Sequence, residues 1–164
     1  MSTSTSTTTY TRTHTATYLA DVIMGTISDI LGLLGITPDN ADRWDLDQAA
    51  IAAWIEEQSL EVVSLECQRP DGTVRPVFEF PVTYNAAGAG QFADSRAAWG
   101  RYQDKIRSVP WGTTYRLFCT FRSSRTPQPG WGPGVRASTS GLSSSTFGTI
   151  ADAPHASASL RINR

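Results

Sequence analysis

Cysteine and histidine are scarce in this sequence. Its 164 residues include two cysteines, Cys67 and Cys119, and two histidines, His14 and His155. Two cysteines are too few for a disulfide framework or a cysteine-based metal cluster, and neither has a second Cys or a His at ligand spacing. We therefore expect two buried thiols in a reducing, cytoplasmic compartment rather than a disulfide.

Recognisable catalytic motifs are also missing. Neither histidine belongs to an H-E-x-x-H pattern or stands beside a nucleophile and an orienting acid, so we expect one to pack at a helix start and the other to lie in a loop. The glycine-rich residues 130–134 lack the Gly-Lys-Ser/Thr ending of a phosphate-binding loop. These absences favour a protein that is not an enzyme and that uses no cofactor or metal. A small hydrolase stays as a minor alternative.

The N-terminal run has no apolar side chain at all over residues 2–9, which are all Ser or Thr. Nothing there offsets the conformational entropy of folding, so we expect an unfolded tail. A helix should follow and end at Gly35, because apolar residues recur on one face at helical spacing. These residues are Leu19, Ile23, Ile27, Ile30 and Leu34. Asp21 and Asp29 make this helix too polar for a signal peptide or a membrane span.

The middle of the chain reads as a helix followed by a hairpin. Asp45 can cap a helix that ends near Gln58. Residues 60–67 alternate as a half-buried strand, and residues 74–84 return after a Pro-Asp-Gly turn. Pro76 and Pro81 cannot donate to a strand ladder, so the second strand should lie nearer an edge than the first.

A third helix and a third strand complete the core. Apolar and aromatic residues recur at helical spacing over residues 92–106, and residues 114–122 alternate most clearly of all. A helix between a hairpin and a strand indicates an α+β fold with a three-stranded sheet. Residues 123–164 differ, since they are rich in Pro, Gly, Ser and Thr with few apolar residues, although residues 156–162 alternate again as a strand does.

Charge is unevenly distributed along the chain. Residues 37–66 hold eight acids and one base, whereas residues 96–164 hold ten bases and two acids. The two halves either present opposed potentials to a charged partner or neutralise each other as solvated faces. Residues 96–111 also interleave bases with aromatics, as nucleic-acid-binding proteins do, but core spacing of the aromatics favours packing. A basic-surfaced module that binds nucleic acid or another polyanion remains the alternative function.

One family matches this order of elements. The run YTRTHTATYLAD at residues 10–21, followed by two helices, a hairpin, a central helix, a strand and a long pliable segment, resembles the bacterial HORMA domains. These are relatives of the eukaryotic spindle-checkpoint and meiotic HORMA proteins. The resemblance implies a disordered tail over residues 1–9 and a HORMA core over residues 10–122. In that core a three-stranded antiparallel sheet packs with three helices, and residues 123–164 form a C-terminal safety belt of the same domain.

The resemblance also implies partners. In the family the belt swings around a closure-motif peptide, which adds as a strand to the sheet. Bacterial members resemble regulators of CBASS antiphage defence, in which the closed, peptide-bound form binds and activates a cGAS-like nucleotidyltransferase. A Trip-type AAA+ ATPase reverses closure by pulling on the N-terminus. We expect no membrane partner, and direct binding of nucleic acid is disfavoured.

Site residues follow from the same resemblance and from the physics of strand addition, which needs an exposed sheet edge. The expected peptide contacts lie on the third strand and on the belt: Thr114, Tyr115, Arg116, Leu117, Phe118, Cys119, Thr120, Phe121, Trp131, Phe147, Leu160 and Ile162. The expected ATPase handle is Ser2, Thr3, Ser4, Thr5, Ser6, Thr7, Thr8 and Thr9. In the family the belt hairpin pairs with the strand that matches residues 74–82, where Pro76 and Pro81 oppose regular pairing.

Overall fold

The computed structural model describes residues 2–164, with side chains from Tyr10 onward. The elements in chain order are α1 (Ser2–Leu34), α2 (Ala41–Glu56), β1 (Leu60–Gln68), β2 (Val74–Tyr84), β3 (Ala93–Asp94), α3 (Arg96–Tyr102), β4 (Thr114–Phe121), β5 (Ser144–Ala153) and β6 (Ala156–Asn163). A 3₁₀ turn, Gln103–Lys105, extends α3.

The strands form one antiparallel sheet in the order β3-β5-β6-β2-β1-β4. Helix α1 packs on α2, β5 and β6, while α2 contacts β1 and α3 contacts β5. The core therefore lies between the helices and one face of the sheet, with Trp54, Phe78 and Phe80 among its largest fully buried side chains. Burial of this apolar surface is the main force that holds the layers together.

The prediction of an α+β fold is confirmed, but the predicted three-stranded sheet was wrong. Strands β5 and β6, two of the six strands, come from residues 123–164, which the sequence analysis described as rich in Pro, Gly, Ser and Thr. Their buried positions are largely alanine, as at Ala153 and Ala158. Small side chains let α1 approach the sheet closely, so a low content of large apolar residues did not mean an absence of core.

Helix α1 is longer than predicted, because it begins at Ser2 whereas the sequence predicted an unfolded tail over residues 1–9. Once a helix is nucleated, each added residue gains a hydrogen bond, which lets Ser and Thr continue it. The side chains of residues 1–9 lie outside the described residues. Tyr10–Leu34 contains an 18-residue stretch that is apolar enough to cross a membrane by composition, with a mean hydropathy of 1.4, contrary to the expectation above. Half of it is buried in the core, so it serves as a core helix.

Two helix boundaries also differ from the predictions. Asn40, and not Asp45, caps α2, since its side chain accepts a hydrogen bond from the Arg43 amide. Helix α3 covers only part of residues 92–106, and Phe92 lies outside it against Tyr18. In the first case a local cap, and in the second a tertiary contact, set the end of the helix, although the hydrophobic periodicity predicted a different residue.

Strand β2 is interior, between β6 and β1, and the expectation that it lies near an edge was wrong. Its register with β6 runs from Val77 to Tyr84 but is interrupted between Glu79 and Val82. Pro81, which has no amide hydrogen, falls in that gap while keeping its position opposite Val62 of β1. The sheet thus accommodates proline by leaving out pairs on one side only.

Candidate peptide-binding site

Strand β4 is an edge of the sheet, because it pairs with β1 alone. Its pairing with β1 runs from Thr114 to Phe121. An edge strand directs unpaired main-chain N–H and C=O groups away from its neighbour, and these can pair with an added strand. The sheet therefore offers an extended peptide a place beside β4.

Side chains of β4 alternate between the core and the opposite face of the sheet. Tyr115, Leu117 and Phe121 pack partly buried against the core, and Cys119 is buried in it. The opposite face, which we call the far face, carries three other members of the strand. They are Arg116, Phe118 and Thr120, paired with Glu66, Ser64 and Val62 of β1.

The segment after β4, residues 122–143, first turns back along α2. The indole of Trp54 donates to the Thr126 carbonyl oxygen at 2.7 Å. Glu57 accepts from the Thr126 amide at 3.0 Å and from its hydroxyl at 2.8 Å. The indole of Trp131 meets that of Trp54 edge-on, with centroids 5.1 Å apart. These contacts fix the first half of the segment beside the edge strand.

The same segment then crosses the far face of the sheet over two buried carboxylates. Glu66 accepts hydrogen bonds from the Arg116 guanidinium and, at 2.8 Å, from the Ala137 amide. Glu79 pairs with Arg136 and with Arg161. A buried carboxylate is stable only when paired and hydrogen-bonded, so both acids tie the crossing segment to the sheet.

Between β4 and this segment lies a cavity of ≈ 430 Å³. Its walls are β4, the segment and the helix α2: Arg43, Trp54, Arg116, Leu117, Phe118, Cys119, Phe121, Arg125, Gly130, Trp131, Gly132, Pro133 and Gly134. The ring N–H of Trp131 is buried without a hydrogen-bond partner among the described residues.

The structure brings together some of the predicted site residues and separates others. Trp131 faces the same cavity as five residues of β4, whereas Thr114 and Tyr115 line a neighbouring groove. Phe147 lies on β5 against Trp99. Leu160 and Ile162 are core residues of β6, on the other side of β2 and β1 from the edge strand. These three hold the β5–β6 hairpin in place instead of lining the cavity.

Three cavity residues were missed by the sequence analysis. Arg43 donates to the Gly130 carbonyl oxygen at 2.7 Å and pairs with Asp47. Burial raises the pKa of Asp47 above its ordinary value, with Arg43 opposing that shift. Trp54 was read only as a helix residue, and Arg125 lies with its guanidinium over Phe121. No local pattern marks them, because each depends on contacts between distant segments.

The structure places the cysteines and His155 as the sequence predicted, but not His14. Both cysteines are free and buried, and burial raises the pKa of the Cys67 thiol to about 12. His14 lies in the interior of α1 and not at a helix start, with its ring 5.5 Å from that of Tyr10 and tilted by 35°. His155 forms the turn between β5 and β6. Among the side chains that the structure describes, no group of three or more His, Cys, Asp or Glu residues is arranged to hold a metal ion.

Comparison with solved structures identifies the fold. A chain of the mitotic checkpoint complex has a TM-score of 0.73 at 8% identity, with 91% of this chain and 97% of that chain covered. C. elegans HTP-1 bound to the HIM-3 closure motif has a TM-score of 0.70 at 12% identity, with 91% and 89% covered. The E. coli MS115-1 CdnC:HORMA-deltaN complex has a TM-score of 0.59 at 16% identity, with 90% and 85% covered. The structure therefore has the HORMA fold.

The sequence itself gives the family. A family model described as Bacterial HORMA domain 2 matches residues 4–163. A search of curated proteins found no significant match. The match spans nearly the whole chain, so the chain belongs to the bacterial HORMA domain family, which confirms the resemblance.

Proposed function

We propose that this protein binds an extended closure-motif peptide as an added strand on β4, enclosed by residues 122–143. The cavity between the edge strand and the enclosing segment carries this proposal. Strand addition supplies affinity through main-chain hydrogen bonds, and pockets for alternate side chains supply specificity. The C. elegans structures of the same fold are bound to closure motifs, which supports the assignment.

The cavity walls indicate which peptide side chains fit. Leu117, Phe121 and Trp131 offer apolar surface, while Arg116 and Arg125 offer positive charge, and no acid is among the lining residues. Arg116 is engaged by Glu66, whereas Arg125 makes no ion pair in the described part of the chain. We expect a motif that combines a large apolar side chain with a carboxylate near Arg125.

The protein acts as a conformational switch in this proposal. The β5–β6 hairpin pairs with β2, which is the pairing that the family resemblance implies for the belt hairpin. Residues 122–143 contain few apolar anchors, so they can be re-sited at a modest cost in free energy. Closure around a peptide would then depend on a small number of contacts, chiefly those of Trp54, Glu57, Glu66 and Glu79.

The proposed partners are a cGAS-like nucleotidyltransferase and a Trip-type AAA+ ATPase in the cytoplasm. The similar E. coli structure is a complex of CdnC with a HORMA protein, which supports the first partner. For the second, residues 2–9 supply an uncharged N-terminal handle that carries no apolar side chain. The closed, peptide-bound form would activate the nucleotidyltransferase in antiphage signalling, and the ATPase would open it. The protein itself would perform no catalysis.

Peptide binding is tested by selecting binders from a displayed library and measuring their affinity by fluorescence polarisation. We expect Trp131→Ala to weaken binding by about 2 kcal/mol or more, since a buried aromatic anchor and a ring N–H are lost. Trp111→Ala is the matched control, because Trp111 is 97% exposed. If no binder is selected, or if both variants lose peptide affinity equally, this cavity is not the peptide site.

The partner assignments need separate experiments. Deletion of residues 2–9 should leave peptide affinity unchanged and abolish ATPase-driven release of the peptide. Loss of folding on deletion would contradict the role of these residues as a handle. Co-expression with a nucleotidyltransferase encoded nearby should give a complex whose synthesis of cyclic oligonucleotides depends on the peptide. If peptide binds but neither complex nor stimulation is found, the signalling role is wrong while the peptide site stands.

A further inference from the structure

Four arginines from distant parts of the chain converge on a second, smaller cavity. Arg69 comes from the turn after β1, Arg75 from β2, Arg107 from the segment before β4, and Arg164 follows β6. The cavity that they line has a volume of ≈ 170 Å³. It shares no lining residue with the cavity beside β4, so it is a distinct site.

The floor of this cavity is apolar. Leu34 of α1, Phe78 of β2 and Ile162 of β6 line it, and each is at most 2% exposed. Ile106 and Val109 complete the apolar wall. A ring of guanidinium groups around an apolar floor suits a ligand that has one anionic part and one flat, apolar part.

The protein offsets the positive charge of this site only in part, through Asp71, which interacts electrostatically with Arg69 and Arg75. No Asp or Glu is among the lining residues, and none of the four arginines makes an ion pair within the part of the chain that the structure describes. Three of them instead donate to main-chain carbonyl oxygens, at 3.1 to 3.2 Å. The pKa of Asp71 is lowered mainly by hydrogen bonds from Thr73 and to a lesser extent by the charges of Arg75 and Arg69.

We propose that this cavity binds a nucleoside phosphate, with the phosphate held by the arginines and the base or sugar against the more exposed apolar wall of Pro76, Ile106 and Val109. Guanidinium groups bind phosphate oxygens in a bidentate fork and also stack on bases. An acidic side chain of a partner would match the arginines but would leave the apolar wall uncovered. The volume of ≈ 170 Å³ lies below the roughly 300 Å³ at which ordinary ligand pockets begin, so the cavity admits the phosphate and only part of the nucleoside, whether the unit is free or part of an oligonucleotide.

The sequence analysis considered residues 96–111 as a surface for a polyanion, whereas the structure gathers arginines at a different place. In the interleaved segment at residues 96–111, Trp99 is buried in the core and Tyr102 packs against it, so only Trp111 exposes its ring. Arg107 is the one base of that segment that lines the cavity, and Arg69, Arg75 and Arg164 come from outside it. The four arginines are therefore brought together by the fold and not by a local sequence pattern.

Isothermal titration with AMP, adenosine and inorganic phosphate tests the proposal, on protein that carries any purification tag at its N-terminus. AMP should bind saturably and more tightly than phosphate, and adenosine should bind least. The double variant Arg75→Ala with Arg107→Ala should weaken AMP about tenfold or more, because two charge-assisted contacts are lost. The matched control, Arg96→Ala with Arg101→Ala, removes equal charge from α3 and should change the affinity less than about twofold.

Further arms separate this site from the peptide site and from partner proteins. Thermal unfolding and the affinity for the selected closure peptide should be the same in the double variant as in the parent. A 5′-phosphorylated dinucleotide that binds no more tightly than AMP would support a site for one nucleotide. The proposal is overturned if AMP does not bind, if both double variants lose affinity equally, or if a tetraglutamate peptide binds more tightly than AMP.

Discussion

Replacing one buried carboxylate tests how the enclosing segment is fixed to the sheet. Glu66 is 2% exposed and accepts from the Arg116 guanidinium and the Ala137 amide at once. Glu66→Gln keeps the shape of the side chain but turns one acceptor oxygen into an NH₂ donor. One of the two hydrogen bonds is then lost, and two donors face each other in a buried site.

The magnitude follows from these contacts. A hydrogen bond to a charged group contributes about 1.5 to 3 kcal/mol net, and a buried unsatisfied donor costs about 1 to 3 kcal/mol. The Arg116 side chain is 48% exposed and can be hydrated instead, which offsets part of the loss. We expect the free energy of unfolding to fall by about 2 kcal/mol, which for a domain of this size lowers Tm by about 4 to 8 °C.

Denaturant unfolding and amide exchange are the appropriate measurements. Glu61→Gln is the control, because Glu61 lies in the same strand and is exposed. Glu66→Gln should also accelerate exchange of the Ala137 amide specifically. Equal stability of the two variants, or an unchanged exchange rate at Ala137, would refute the idea that Glu66 anchors the crossing segment.

Two further predictions concern ionisation. The pKa of Glu57 lies below its ordinary value, because hydrogen bonds from Ser59 and Thr126 outweigh the opposing effect of burial. A carboxyl with a lowered folded-state pKa stabilises the fold above its unfolded-state pKa and loses that effect as the pH falls. The protection factor of the Thr126 amide, which corrects for the intrinsic pH dependence of exchange, should therefore fall in acid, and Glu57→Gln should remove that fall; an identical pH profile of protection in both proteins would contradict it. Burial raises the pKa of Cys67 and Cys119, so neither thiol should react with a thiol reagent at about pH 8 until denaturant is added; rapid labelling of native protein would show that β1 and β4 separate.

The elements that were predicted best from the sequence are those in which the hydrophobic pattern matches the residues that are buried in the structure. Residues 114–122 alternate cleanly, and β4 covers Thr114–Phe121 because its odd-numbered residues face the core. The β1–β2 hairpin was also correct, since the Pro-Asp-Gly turn leaves Gly72 at a positive φ of 88°. In these places local geometry and tertiary packing favour the same conformation.

What could not be predicted depends on contacts between distant segments. Nothing near Thr126 in the chain indicates that Trp54 and Glu57 hold it. Strand β5 was missed because its Ser, Thr and Gly residues become a strand only once β6 pairs with it. Because proline lacks an amide hydrogen, Pro81 predicted that β2 lies nearer an edge than β1. A gap in the pairing of β2 with β6 instead lets β2 lie inside the sheet.

The strand order has a consequence for how the protein is made. Strand β6 lies between β2 and β5, yet it follows every other strand in the chain. During synthesis β1, β2 and β4 emerge first, so β2 has a free side until translation has passed β6. A newly made molecule therefore passes through a state in which either the hairpin or another strand can occupy that side. Each round of translation gives the protein one opportunity to meet a partner before its own hairpin docks.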